Sequence, residues 1–587
     1  MLILYIRKIV DGTMRRFSLV IVNVGLAIGS VFGQADVTRD FEMPLKIKPV
    51  VSGSFGELRS NHFHSGVDLT THGKTGYRVY CSDDGFVSRI KVSPYGYGRA
   101  VYVDHPNGKT TVYAHLERYA PKIDSLVTRK QYEQKTFSIE LYFKKGEIPV
   151  KRGEVIAYSG NAGSSGGPHL HYEIRETATQ RPEDPLLYQL KPEDKVRPQI
   201  QGLKVYPMGD HSIVEGQRSS VYLPVVFYEG RFHPKGKKII NAKGSIGIGV
   251  QVLDYLSDSW RKCGVSTIEL FANAKRIYKS DITSFSFAET RYINSHIDYR
   301  EKVKSGKVVQ KSFIEPNNRL DIYEAGPEKG IIQVADTSSI SIKYVIKDVS
   351  GNVSELAFTV NGKDYDEALI PNPKQDGEKI LSYKSAFELD TAGVKVAIKP
   401  NSFYTDVPFY FEVDESYEGI GAPLYVIGSN KVPVHQSFKL KIKVPDLLAT
   451  SVDKLCVAGV SRSGKAYYAG GVVEDGYLST SVRSFGKYTL ALDTIVPTIK
   501  LINVPSNKDY RNRKTIELRI SDNFSGIKSY NCYLNDNWVL FEYDAKTNRL
   551  VGFTNKIPFK KGAKQKLKVK VVDNKGNEAT EVYNVIF

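Results

Sequence analysis

The chain has 587 residues, a formal net charge of +18 and an ordinary apolar content of 41%, which is too long for one core and suits about three or four domains. The positive charge is spread rather than clustered, and no helical recognition motif or RNA-binding signature accompanies it, so no nucleic-acid partner is expected. A basic exported chain suits an anionic polymer such as a cell wall, and plain solubility accounts for the same charge.

In chain order, "MRRFSLVIVNVGLAIGSVFGQA" (14–35) sets two arginines before an apolar run from Phe17 to Phe32, then small residues at Gly33 and Ala35. That is the order of a secretory signal, so residues 1–35 are read as a signal peptide, with Met14 as an alternative start. An uncleaved anchor is the other reading, and it is the one membrane contact expected, because no later stretch reaches about 18 consecutive apolar residues. Cys81, Cys263, Cys456 and Cys532 are scattered without any CxxC pair. A disulfide framework or thiolate zinc site is therefore not expected, and each is read as a small buried apolar side chain.

Residues 36–197 read as a first domain of short strands. Arg99–Asp104 alternates with period two, and "HPNGK" carries an Asn-Gly hairpin signal. Residues 120–150 interrupt the pattern; their first half reads as a short helix and the whole as an excursion from the sheet. Strand patterns resume at "GEVIAYSG" and "HLHYEIRE", and "PEDPLLYQLKPEDKVRP" marks the exit. Beyond it an internal repeat shows. "IGVQVLDYLSDSWRKCGVSTIELFAN" (248–273) parallels "IELRISDNFSGIKSYNCYLND" (516–536), and "IKYVIKDVSGNVSELAFTV" (342–360) parallels "LKVKVVDNKGNEATEVYNVIF" (567–587). Asp254 and Asp348 lie 94 residues apart whereas Asp522 and Asp573 lie 51 apart, so the first copy holds an insertion around 288–320. The expected class is all-β: a small antiparallel-sheet domain followed by about three β-sandwich (Ig-like) domains at 198–362, 363–495 and 496–587. Turn chemistry accounts for the acidic turns, since no single loop has the dense alternating carboxylates of a calcium site.

The chemistry concentrates early, with seven of the eleven histidines between positions 62 and 171. On a strand, residues i and i+2 share a face, so "HLHYEI" presents His169 and His171 together. "HFHSGVDL" sets His64 four residues before Asp68, with Gly66 between them to let the backbone turn, and "VYAHLERY" adds His115. Two imidazoles and one carboxylate make a sufficient set for a catalytic zinc, leaving other imidazoles to handle protons. HExxH is absent, and "GSSGG" lacks the P-loop lysine and runs into a strand.

The ordered set "HSGVD", "YAH", "GNAGSSGGP" and "HLH" resembles the lysostaphin/LytM-type zinc endopeptidases, over about residues 45–178. The lead-in "GSFGELRSNHFHSGVDL" is similar to exported members from Gram-negative bacteria. The resemblance implies a zinc metalloendopeptidase acting on peptidoglycan peptides in the periplasm or cell envelope. It implies one Zn2+ held by His64, Asp68 and His171, with His169 as general base and His115 holding the water or the developing oxyanion. The C-terminal domains are open to contacts with cell-envelope proteins. Two other readings stand beside it: an exported protease for secreted or surface proteins, and a non-catalytic wall-binding scaffold or activator, against which the complete ligand set weighs. Around the site, His62 is read as accessory or exposed, and His72 and His105 as exposed. Arg59 is read as solvated or as a contact for an acidic substrate group. Tyr113 is read as lining the groove or packing in the core, and Asn161 with the 163–167 run as shaping the loop.

Overall fold

Strand His169–Glu176 is buried on both faces along nearly its whole length, with Leu170, Tyr172 and Ile174 on one face and His169, His171, Glu173 and Arg175 on the other. This computed structural model describes residues 41–188, 190, 193–257, 260–372, 379–417, 419–420 and 422–586, so the leader expected at 1–35 lies outside the described residues. Within them the chain is nearly all β, and none of the described helices is long and apolar enough to cross a membrane.

The histidine strand lies inside an antiparallel sheet. Its neighbours are Val67–Thr70 on one side and Lys109–Ala114 on the other, and the sheet continues through Arg99–Asp104 and Gly85–Val92 to Ile139–Tyr142. The register sets His171 directly opposite Asp68, and facing residues of an antiparallel pair present their side chains to the same face. The Asn-Gly turn joins Arg99–Asp104 to Lys109–Ala114 as its signal requires. A three-stranded sheet of Arg78–Tyr80, Val155–Tyr158 and Arg118–Tyr119 packs nearby. Val79, Val87, Val103, Tyr113 and Ile156 fill the space between as one fully buried core.

The 120–150 interruption is a helix followed by a return to the sheet. Pro121 opens helix Pro121–Gln134, and Lys135 closes it in the left-handed conformation. The helix buries Ile123, Val127 and Gln131 at four-residue intervals. Ile139–Tyr142 then pairs with Gly85–Val92, so only the first half is an excursion. On the helix's other side, Tyr132 donates to Lys556 O at 2.7 Å and sets its ring edge-on to Trp538 at 5.4 Å. Through such contacts the core of the 498–586 region is continuous with that of the first sheet.

The later regions are layered sheets. Strand Ile239–Tyr255, 17 residues long, pairs in parallel with Val353–Gly362 at its start and antiparallel with Gln199–Pro207 further on, and so joins two layers. The insertion around 288–320 holds two short helices, Ile293–His296 and Tyr299–Ser305. Ile293, with Tyr292 and Phe285, packs on Phe55 and Phe63 of the first region. Residues 387–492 form two five-stranded sheets around a separate core, and residues 498–586 form two four-stranded sheets. All four cysteines are buried and free.

Candidate metal centre

Three side chains from two distant segments converge in the first sheet. His64 Nε2 lies 3.1 Å from Asp68 Oδ1 and 3.0 Å from His171 Nδ1, and His171 Nδ1 lies 2.9 Å from the same Asp68 oxygen. All three residues are buried. Asp68 and His171 meet because they are register partners. His64 reaches them from the end of a short hairpin of Leu58–Arg59 and His62–Phe63, pinned by bonds from His64 N to Glu57 O and from Gly56 N to His64 O. Gly66 is needed here for proximity: a Cβ on it would stand 2.3 Å from Tyr172 O of the histidine strand. The turn expected of that glycine is thus a close crossing of two strands.

Each donor is oriented by a partner outside the trio. His64 Nδ1 donates to Ser54 O at 2.7 Å, which leaves the Nε2 lone pair facing inward. His171 Nε2 donates to Glu173 Oε1 at 2.7 Å, which leaves Nδ1 as the inward lone pair. Arg59 Nη2 binds Asp68 Oδ2 at 2.7 Å and leaves Oδ1 for the cluster. Three electron-pair donors within about 3 Å of one another repel unless a cation or a proton lies among them. The protonation of His171 reflects that demand: burial opposes the charge, yet hydrogen bonds to Asp68 and Glu173 hold its titration up to about 9. The arrangement therefore fits a metal ion, with two imidazoles and one carboxylate as ligands.

Two further imidazoles stand beside the trio. His169 Nε2 lies 3.3 Å from Asp68 Oδ1, while its Nδ1 bonds Gly167 O at 2.8 Å. His115 follows strand Lys109–Ala114 in the left-handed conformation, φ 59°, which is uncommon for a residue with a Cβ. Its Nδ1 bonds Ala162 O at 2.8 Å, and its ring is edge-on to His169 at 4.9 Å and to His171 at 5.8 Å. Burial, with His171 and His169 nearby, pulls the His115 titration down to about 3. Both rings spend Nδ1 on a loop carbonyl, and His169 turns Nε2 to Asp68.

The surroundings correct several expectations. Arg59 is bound to Asp68 at 2.7 Å, with its side chain still 34% exposed. His105 is buried, with Nδ1 at 2.9 Å from Asp84 O, Nε2 at 2.8 Å from Thr111 Oγ1, and its ring against Phe41; its two hydrogen bonds make burial affordable for a residue that follows a strand end. Tyr113 packs in the core, its hydroxyl accepting from Ser82 N at 2.8 Å. His62 and His72 are exposed. Glu173 was not foreseen, although its place two residues after His171 puts it on the same strand face. It also accepts from Ser65 Oγ at 2.7 Å and from Arg175 Nε at 2.6 Å. Tyr97, stacked on His171 at 5.3 Å, carries no comparable signal in the sequence.

The description Peptidase family M23 matches residues 62–132, and Zu5-like domain matches residues 378–493. A DD-carboxypeptidase/endopeptidase Mpg from Neisseria meningitidis serogroup B is 35% identical over 118 residues, 20% of this chain and 21% of that protein. The peptidoglycan DD-endopeptidase ShyA of Vibrio cholerae is 34% identical over 111 residues, 19% of this chain and 20% of that one. The catalytic domain of lysostaphin from Staphylococcus simulans aligns at 22% identity with a TM-score of 0.18, over 24% of this chain and 93% of that domain. The chain thus spans about a fifth of the length of the curated relatives it matches. Residues 62–132, which hold His64, Asp68 and His115, match peptidase family M23.

Proposed function

We propose that this chain is an exported zinc metalloendopeptidase that hydrolyses the peptide cross-links of peptidoglycan. The observation that carries the reading is the convergence of His64 Nε2, Asp68 Oδ1 and His171 Nδ1, with the rings of His169 and His115 beside them. The matched relatives named as peptidoglycan DD-endopeptidases support the substrate class. The division into a leader at 1–35, a peptidase domain at 36–197 and three β-rich domains at 198–362, 363–495 and 496–587 belongs to the same reading.

Zinc bound by His64, Asp68 and His171 supplies a Lewis acid and lowers the pKa of water towards neutrality. The chain's own groups do the rest. His169 Nε2, 3.3 Å from Asp68 Oδ1, accepts the proton of the attacking water and returns it to the leaving amine. His115 Nε2 accepts a hydrogen bond from the same water and so fixes its line of approach. Ser54 O, Glu173 and Arg59 hold the ligand atoms in place.

The test is incubation of the zinc-loaded full chain with purified sacculi and, separately, with denatured protein, followed by mass spectrometry. Conversion of cross-linked muropeptide dimers to monomers is expected. Intact sacculi alongside cleaved protein, or no cleavage of either with zinc in place, overturns the reading.

A further inference from the structure

Six aspartates outside the peptidase region form two triads that repeat one design. Asp194, Asp254 and Asp348 present carboxylate oxygens within 4.8 Å of one another, and so do Asp493, Asp522 and Asp573. The members come from matching places. Asp254 lies in strand Ile239–Tyr255 one residue from its end, and Asp522 follows Thr515–Ser521. Asp348 follows Ser339–Lys347, and Asp573 ends Lys564–Asp573. Asp194 and Asp493 each stand four residues before a proline, Pro198 and Pro497, on the chain entering the layered sheets they join.

The hydrogen bonds repeat as well. Ser257 N donates to Asp194 Oδ1 at 3.0 Å, and Ser525 N donates to Asp493 Oδ2 at 3.0 Å; each serine stands three residues after the strand-end aspartate. Asn352 gives its backbone N–H to Asp348 Oδ1 at 2.9 Å and its amide to Asp348 Oδ2 at 2.8 Å and Asp194 O at 3.3 Å. Asn577 does the same for Asp573, at 2.8 and 2.7 Å, and for Asp493 O at 2.9 Å. These bonds shape the loops but leave an oxygen over at each cluster. Oδ1 of Asp254, Asp493 and Asp522 is buried without a hydrogen-bond partner, although Asp254 is 2% and Asp493 1% exposed. Among the described residues no lysine or arginine forms an ion pair with any of the six. Buried carboxylates are paired or coordinate metals, and here the pairing partner is missing twice in the same way.

We propose that each triad is a calcium site that fastens the chain entering one set of sheets to two strand ends of that set. The donors are all oxygens, which disfavours zinc and copper. Three converging carboxylates suit Ca2+, which takes six to eight oxygens in flexible geometry, better than Mg2+, which keeps several waters and takes one or two carboxylates. The dense single-loop motif expected of a calcium site is absent because the ligands come from three separate segments. The first site also adjoins the peptidase region. Asp254 pairs with Cys263, and the next residue, Gly264, donates its N–H to Ser54 Oγ at 2.9 Å, the residue whose carbonyl orients His64.

The zinc-loaded full chain, dialysed into calcium-free buffer, is titrated with CaCl2 and in parallel with MgCl2 by calorimetry. About two calcium ions per chain are expected, with Mg2+ binding at least ~10-fold weaker. Asp254→Asn and Asp522→Asn should each remove one equivalent, and His171→Ala should remove none. The thermal midpoint should invert: each Asn variant melts above the parent without calcium, where repulsion is relieved, and below it in millimolar calcium. Absence of saturable calcium uptake by the parent chain overturns the proposal. So does uptake that neither Asn variant reduces, or equal affinity for Mg2+. Should a variant fail to fold, the parent's stoichiometry and its calcium-dependent midpoint still decide.

Discussion

His64 and His171 of the metal centre and His296 at the junction differ less in burial than in the partners they meet. His64 and His171 lie against carboxylates, and a carbonyl or carboxylate takes the outer nitrogen of each ring. His296 is equally buried, but its nitrogens meet Tyr323 Oη and Gln310 Oε1, both at 3.0 Å. His435 stacks on Tyr292 at 4.2 Å and contacts Tyr404 Oη at 3.0 Å. Burial pulls both of these down to about 4, helped by Lys311 at His296 and by Arg291, Arg483 and Arg319 at His435. His171 is instead held up to about 9. The two carboxylates at His171 favour its positive charge, whereas His64, with Asp68 alone, is still pulled down by burial.

Five experiments break or sharpen that contrast. His171→Ala should have the largest effect, with loss of bound zinc by elemental analysis and of measurable turnover; retained zinc would dissolve the distinction between the two groups. His169→Ala should keep its zinc and lose about 10^2–10^4-fold in kcat, the usual worth of a general base. Acid should strike the junction. The unfolded histidine titrates near 6.5 and the folded His296 at about 4, so the unfolded state binds more protons between these values. Stability is then full above about pH 6.5 and falls by up to about 3 kcal/mol towards pH 4. Chemical denaturation across that range should show the slope, and His296→Gln should flatten it. Glu173→Gln, which weakens the orientation of His171, should cost about 10–100-fold in zinc affinity or activity, measured by competition with a chromophoric chelator. Lys546→Ala should be mildest. Lys546 Nζ reaches Asn161 O, and Ser165 O at 3.0 Å, on the loop whose carbonyls at Ala162 and Gly167 hold His115 and His169. Loosening that loop should lower kcat by less than about tenfold with zinc content unchanged.

How much was legible follows from the range of each interaction. Period two placed His169 and His171 on one face, and the same rule extended by two residues would have placed Glu173 there. The motif order brought His64, Asp68 and His115 into consideration, and the structure brings these residues together with His169 and His171. Arg59 was misjudged because nothing local shows that its guanidinium lands on Asp68, nine residues away across a hairpin. His105 was misjudged because a turn signal beside it says nothing of Phe41, which covers it. The repeated Asp-x-x-Gly-Asn turns were visible, but local turn chemistry explained them until Asp194 and Asp493 joined from outside each repeat.

The sequence by itself determined the class of fold, the strand that bears the paired histidines and the ordered motifs of an M23 domain, because alternation and short motifs are local properties of the chain. Only the tertiary structure decided which rings face a carboxylate, which carbonyl fixes each tautomer, and which aspartates gather at the sandwich ends. Those are contacts between segments tens to hundreds of residues apart. Their physical consequence, whether a buried charge meets an opposite charge, a neutral dipole or another like charge, exists only once strand register and packing have brought them face to face.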